Sequence, residues 1–216
     1  MRIKELSHLT GVSVPTIKYY LRESLLPAGE LTSPNQASYD DSHVRRLRLI
    51  RALVDVGGLA IATVRDVLAS ADAPDETVSR ILFTAQESIS AEPNLPRDEA
   101  WEDAERTVAE LVERRGWQVK PTSRAWRTVV AVLVSARQLE HGVWTTKLDT
   151  YAEACEQIAE ADIDYIHGIT DMDSMLEGVV VGTVLGDTLV TALRRLAHQS
   201  ESTRRLATTQ DTSTTR

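Results

Sequence analysis

The sequence predicts a mainly α-helical protein in two parts, with one short β-hairpin in its N-terminal third. Three observations carry that reading. Apolar residues recur at three- and four-residue spacing along most of the 216-residue chain, the mark of helices that bury one face. The stretch from Leu25 to Tyr39 loses that period, and it carries Pro27, Gly29, Pro34 and Asn35, residue types that turn a chain. Charge is also divided unevenly. Residues 1–71 hold nine Lys or Arg against seven Asp or Glu, and the remainder fifteen against twenty-five, which together make the net −8. A mildly basic module joined to an acidic one follows.

Taken in order, Ile3, Leu6 and Leu9 mark a first helix that ends at Gly11, where positive φ carries no Cβ clash. Ser13 offers an N-cap oxygen and Pro15 falls in the first turn of a second helix, Val14 to Glu23, where the missing amide hydrogen has no intrahelical partner. The Leu25–Tyr39 stretch reads as a hairpin with its tip near Pro34 and Asn35. Asp40, Asp41 and Ser42 can cap a third helix, His43 to Val56, with Val44, Leu47, Ile50 and Val54 turned inward and Gly57-Gly58 as its stop. A fourth helix fits Leu59 to Ala71, and Ala73-Pro74 reads as a module boundary. Beyond it, helices are expected at about 75–90, 98–115, 123–141, 148–167 and 174–199. Glu92–Pro96 and Gly116–Pro121 connect them, because proline ends helices. Residues 201–216 are too polar to repay ordering and are expected to form a disordered tail.

A helix, a tight turn, a second helix and a hairpin make a winged helix-turn-helix, whose second helix can enter a DNA major groove. On that helix Thr16 and Lys18 can reach base edges or backbone, with Ser13 at its cap, while Tyr19 and Arg22 offer ends that grip phosphate. The runs Ile3-Lys4-Glu5-Leu6, Thr10 to Tyr20 (TGVSVPTIKYY) and Leu25-Leu26-Pro27, with Tyr39 and Val44 to Leu53 (VRRLRLIRAL), resemble the opening of MerR-family transcription regulators. The resemblance covers about the first third of the chain. It implies that Lys18 is the basic residue before the aromatic pair of the recognition helix, that Tyr19 lies against the DNA backbone, and that Tyr20 belongs to the core. The family's wing usually carries Asn-Gly-Tyr-Arg, and the matching positions here are Pro34, Asn35, Gln36 and Ala37. The wing Tyr and Arg are thus missing, and Pro15 stands where many members carry a base-reading cation. Asn35 and Gln36 remain the candidate wing contacts. Arg45, Arg48 and Arg51, three apart, can line a basic strip beside the phosphates, with a solvated helix face as the alternative.

In the acidic half the resemblance implies a dimerisation helix and a variable effector region. The helix near Asp75, with Val78, Ile81, Leu82 and Ala85, and the helix near Asp98, with Trp101, Ala104, Val108, Leu111 and Val112, are both candidates for the dimer contact. Gly178, Gly182 and Gly186, four apart, let another backbone approach closely, in the same chain or in a second subunit. The four tryptophans, Trp101, Trp117, Trp126 and Trp144, all lie in this half. Trp126 and Trp144 are candidates for an effector pocket, with ordinary core packing as the alternative.

Several classes are disfavoured. Cys155 is the sole cysteine and the five histidines are scattered, so no disulfide, thiolate metal centre or zinc set is expected. No cofactor is expected either. Asp162 with Asp164, or His167 with Asp171, lacks any phosphate loop or nucleophile elbow beside it and reads as helix surface rather than as an acid–base pair. Met1 leads straight into Arg2, Lys4 and Glu5, and no apolar run reaches membrane-spanning length, so a cytoplasmic protein without a membrane partner is expected. The expected organisation is a DNA-binding domain over 1–71, an all-helical dimerisation and effector domain over 72–200, and the tail over 201–216. The expected function is a homodimeric regulator on an inverted-repeat site in double-stranded promoter DNA. By the resemblance, it alters promoter geometry for RNA polymerase in response to an unidentified signal, for which a small-molecule effector is the candidate. The alternative is an adaptor recruited to DNA, whose acidic half binds a protein.

Overall fold

The computed structural model describes residues 1–33, 36–73, 78–90, 92–169 and 172–213. Its elements are α1 (Ile3–Thr10), α2 (Val14–Arg22), β1 (Glu30–Ser33), β2 (Gln36–Ser38), α3 (Asp41–Arg51), α4 (Ile61–Ala71), α5 (Val78–Ile89), α6 (Glu99–Arg115), α7 (Arg124–Gln138), α8 (Val143–His167) and α9 (Met172–Ser213). The fold is mainly α, with β1 and β2 as an antiparallel hairpin followed by helices alone. Two compact units emerge, Met1–Ala60 with Val181–Arg216, and Ile61–Val180. The division falls before α4, whereas the charge and proline pattern places a boundary after it.

In the first unit α1 packs on α2 and α3. Leu6, Ile17, Leu47 and Ile50 have no solvent exposure, and Tyr20, Leu25 and Leu26 are buried with them. After α3 the chain widens into a π-helical turn over Ala52–Val56, in which Gly57 N–H reaches back five residues to the Ala52 carbonyl at 3.0 Å. The widened turn shifts the inward stripe. Leu53 is fully buried, and Val54, expected there from a 3.6-residue period, is only half-buried.

The second unit is built on α6 against α7. Trp101, Ala104 and Val108 meet Trp126, Val130, Leu133 and Val134 in one buried cluster. Asp98 and Ser123 cap the two helices through the N–H groups of Trp101 and Trp126, at 3.1 and 3.3 Å. Polar links tie α8 to the end of α6: Trp117 Nε1 donates to Glu156 at 2.8 Å and Arg115 to the Asp149 carbonyl at 2.6 Å. From the α5 side, Glu87 accepts the Arg124 N–H at 2.7 Å.

Two helices outrun their sequence pattern. α8 begins at Val143 rather than near Leu148, because the chain needs only the Glu140 turn, at φ 60°, to leave α7. α9 extends through Ser213, into the stretch expected as a tail. Glu201 there accepts hydrogen bonds from Arg204 and Arg205, three and four residues on, at 2.5–3.0 Å, the spacing at which charge pairs support a helix.

Candidate nucleic-acid interface

The turn between α1 and α2 is held by side chains as well as by glycine. Gly11 adopts φ 68° and gives its N–H to the Ser7 carbonyl at 2.9 Å. Ser7 Oγ donates to the Val12 carbonyl at 2.6 Å, and the Val12 N–H donates to Thr10 Oγ1 at 3.3 Å. With Val12 buried, the two helices cannot pivot without breaking these bonds. Ser13 Oγ then accepts the Thr16 N–H at 3.2 Å and lies 2.7 Å from Thr16 Oγ1.

Ile17 and Tyr20 are the buried residues of α2. Being three apart, they turn Pro15, Lys18 and Arg22 outward, and all three are exposed. Thr16 and Tyr19 flank that row, half-buried. The Arg22 guanidinium lies 5.3 Å from the Tyr19 ring centroid, a cation–π contact that orders both at the surface, and 3.8 Å from the Glu23 carboxylate.

On α3 the three arginines divide. Arg45 and Arg48 are exposed, whereas Arg51 donates to Asp55 at 2.9 Å and reaches the Thr10 carbonyl at 3.5 Å, closing the end of α1. Arg46, which sequence reasoning passed over, donates through Nε to the Leu25 carbonyl at 3.0 Å. It fixes the chain that leaves α2.

The hairpin pairs Glu30 with Ser38, Leu31 with Ala37 and Ser33 with Gln36, with a register shift between Leu31 and Ser33. Gln36 opens β2 exposed, its carbonyl accepting from Thr32 Oγ1 at 3.2 Å. Asn35, the other candidate wing contact, lies outside the described residues, as does Pro34. The base of the hairpin is anchored in a way no motif announces. The Tyr39 N–H donates to the Met1 carbonyl at 2.8 Å, the Met1 amine donates to the Tyr39 carbonyl at 2.6 Å, and the Tyr39 ring meets His43 edge-on at 5.2 Å. A Cβ on Gly29 would stand 2.5 Å from the Ser38 carbonyl, so this strand can approach only as glycine. At the start of α3, hydrogen bonds first from Ser42 and then from His43 hold the Asp40 carboxyl well below the usual carboxylate range.

A MerR HTH family regulatory protein model matches residues 1–71. A solved structure from Streptomyces coelicolor A3(2), SCO5550, described as a candidate transcriptional regulator, is 34% identical with a TM-score of 0.73, covering 95% of this chain and 97% of its own. The chain belongs to the MerR family of transcriptional regulators. Among curated proteins, the nodulation protein NolA of Bradyrhizobium elkanii is 43% identical over 56 residues, and NolA of Bradyrhizobium sp. (strain NC92) 41% over 56. Those matches span 26% and 24% of the NolA chains. The likeness to NolA is therefore confined to the length of a MerR head, whereas the likeness to SCO5550 runs through both units. MerR regulators bind DNA and are not enzymes, and no group of His, Cys, Asp or Glu among the described residues has the arrangement of a metal site. No helix among the described residues is long and apolar enough to cross a membrane.

In the second unit the two tryptophans singled out by sequence part company. Trp126 is 7% exposed and belongs to the α6–α7 core. Trp144, stacked on Tyr151 at 5.5 Å, lines an open groove of about 490 Å³ with Ala131, Val132, Ala136, Leu139 and His141. Cys155 is exposed, and α8 turns few residues inward; Ala152 and Ile166 are those buried.

Proposed function

We propose that this MerR-family regulator binds an inverted-repeat promoter site as a homodimer and alters promoter geometry in response to a signal received by its second unit. The observation that carries the DNA reading is the outward row of α2. It presents Lys18 and Arg22, flanked by Ser13, Thr16 and Tyr19, on a helix whose opposite side is locked into the core. Lys18 and Thr16 are assigned to base edges and nearby backbone, and Ser13, Tyr19, Arg22 and Arg45 to phosphates. Gln36 and Asn35 are assigned to the wing contact. Two such heads related by a two-fold axis read half-sites in successive major grooves. Deforming the intervening promoter then changes how RNA polymerase engages it.

One observation favours a second reading of the acidic half. The groove beside Trp144 is open along its length and walled by apolar side chains, which suits a helix or peptide of a protein partner as well as a small effector. Trp144 is the residue assigned to either occupant.

The deciding experiment is a footprint of the full chain on its own promoter region, with its mass measured in solution. Two-fold symmetric protection by a dimer is the expected result. Failure of a dimer to protect any promoter fragment removes the DNA assignment and leaves the adaptor reading in front.

A further inference from the structure

Along α9, Gly182, Gly186, Leu189, Leu193 and Leu196 follow one another at intervals of four, three, four and three residues, the a/d repeat of a coiled-coil seam. Among the described residues the chain leaves this seam largely open. A Cβ added at Gly182 or Gly186 would meet nothing within 4 Å, and Leu189, Leu193 and Leu196 are 59%, 53% and 59% exposed. Gly178, one turn earlier, is different: its Cβ position is 2.6 Å from Ile169, so close packing within the chain accounts for that glycine alone. The inward side of the helix is marked by Val184, buried and packed at Gly57. Gly182, Gly186, Leu189 and Leu193 lie about 140–180° around the helix from Val184 at 3.6 residues per turn.

Resting on the homodimer reading, we infer that the Gly182–Leu196 seam of α9 is where a second copy of this chain docks, by α9 packing on α9. The helices that sequence pattern offered for this role are otherwise engaged. Trp101, Ala104 and Val108 of α6 are buried against α7, and Ala85 of α5 is buried with α4 and α7 as that helix's packing partners. On α9 the positions flanking the seam, Thr183, Val190, Ala192 and Ala197, are uncharged, while Asp187, Arg194, Arg195 and Glu201 fall on its outer side. A seam of that composition offers nothing to a charged peptide or to DNA and is complementary to its own copy. The small residues at 182 and 186, with open space at their Cβ positions, let the two backbones approach closely, which offsets the cost of glycine in a helix.

The test is sedimentation of the full chain and of Leu189→Asp and Leu193→Asp over a concentration series, with circular dichroism on each. The wild type is expected to be a dimer. Each variant is expected to keep its helicity, since both sites are exposed within the single chain, and to dissociate with a constant raised about 100-fold or more. Variants that remain tight dimers overturn the α9 seam and leave the homodimer reading standing. A monomeric wild type overturns both. Should either aspartate unfold the chain, single cysteines at 189, 193 and 196 in a Cys155→Ser background replace it, with Arg195→Cys as the outer-side control. Disulfide-linked dimers from at least one seam position and none from the control support the seam, because the bridge needs Cα atoms within about 7 Å. A dimer that cross-links at no seam position overturns it.

Discussion

Lys18 is exposed on the outward row of α2, where a lysine can be replaced at no folding cost, so the contact proposed for it is open to a clean test. Lys18→Ala is expected to weaken operator binding about tenfold and to lower the slope of log affinity against log salt by about 1, while leaving the melting temperature unchanged. A salt titration of both proteins on the same fragment checks this; unchanged affinity and slope would remove Lys18 from the interface. Asp40 belongs to this scale too, since its carboxyl is held below its ordinary range by Ser42 and His43. A depressed carboxyl contributes stability above the unfolded pKa of about 3.9 and loses it as pH falls through the folded value. Asp40→Ala is therefore expected to lower the melting temperature at pH 7, and the difference from wild type should shrink as pH falls below about 4. Melts across that window decide it, and a pH-independent difference would count against the charge.

At the scale of the element, the chain leaves α2 through Ser24 at φ 59°, a left-handed position where a side chain is strained. The chain accepts it because the turn brings the N–H groups of Leu25 and Leu26 to the Tyr20 carbonyl, at 2.9 and 3.3 Å, and buries both leucines. Ser24→Gly is expected to stabilise the protein by up to about 1 kcal/mol in chemical denaturation; a destabilised variant would show that the serine hydroxyl matters more than the backbone. The α6–α7 pair has the opposite sensitivity. Leu133 is 1% exposed in its core, so Leu133→Ala is expected to cost about 2–5 kcal/mol through lost burial and the cavity left behind. Below about 1 kcal/mol, the two helices would have to collapse onto the gap more readily than a packed core does.

At the scale of the molecule, the end of the chain returns to its beginning. Residues 181–216 belong to the same compact unit as residues 1–60, and Val184 packs at Gly57. A Cβ there would lie 2.3 Å from Val184 Cγ1 and 2.7 Å from the Leu53 carbonyl. Gly57→Leu is thus expected to push the Val184 turn of α9 away from Leu53 and Gly57 and to destabilise the first unit by about 1–3 kcal/mol. Hydrogen exchange along α9 reads the displacement directly, and unaltered protection near Val184 would refute it. The glycine pair 57–58 had been legible only as a helix stop; its second role depends on a helix more than a hundred residues away in the chain.

Local chemistry in the sequence determined most of the first unit. Gly11, Ser13 and Pro15 mark the start of α2, Ile17 and Tyr20 its inward side, and hence Lys18 and Arg22 its outward row, because capping, φ preference and the 3.6-residue period all act within a few residues. The family follows from the same segment. Contacts between distant residues were not legible, since no local rule links Met1 to Tyr39, Arg46 to the Leu25 carbonyl or Val184 to Gly57. The π-helical turn that exchanges Val54 for Leu53 belongs with them, because a one-residue widening leaves no mark on an apolar pattern. Tertiary structure alone separated Trp126, in the core, from Trp144, at a groove. It alone showed which glycines of the 178–186 series meet a neighbour. A four-residue repeat states that one side of a helix is smooth, and only the packed chain decides whether that side is covered.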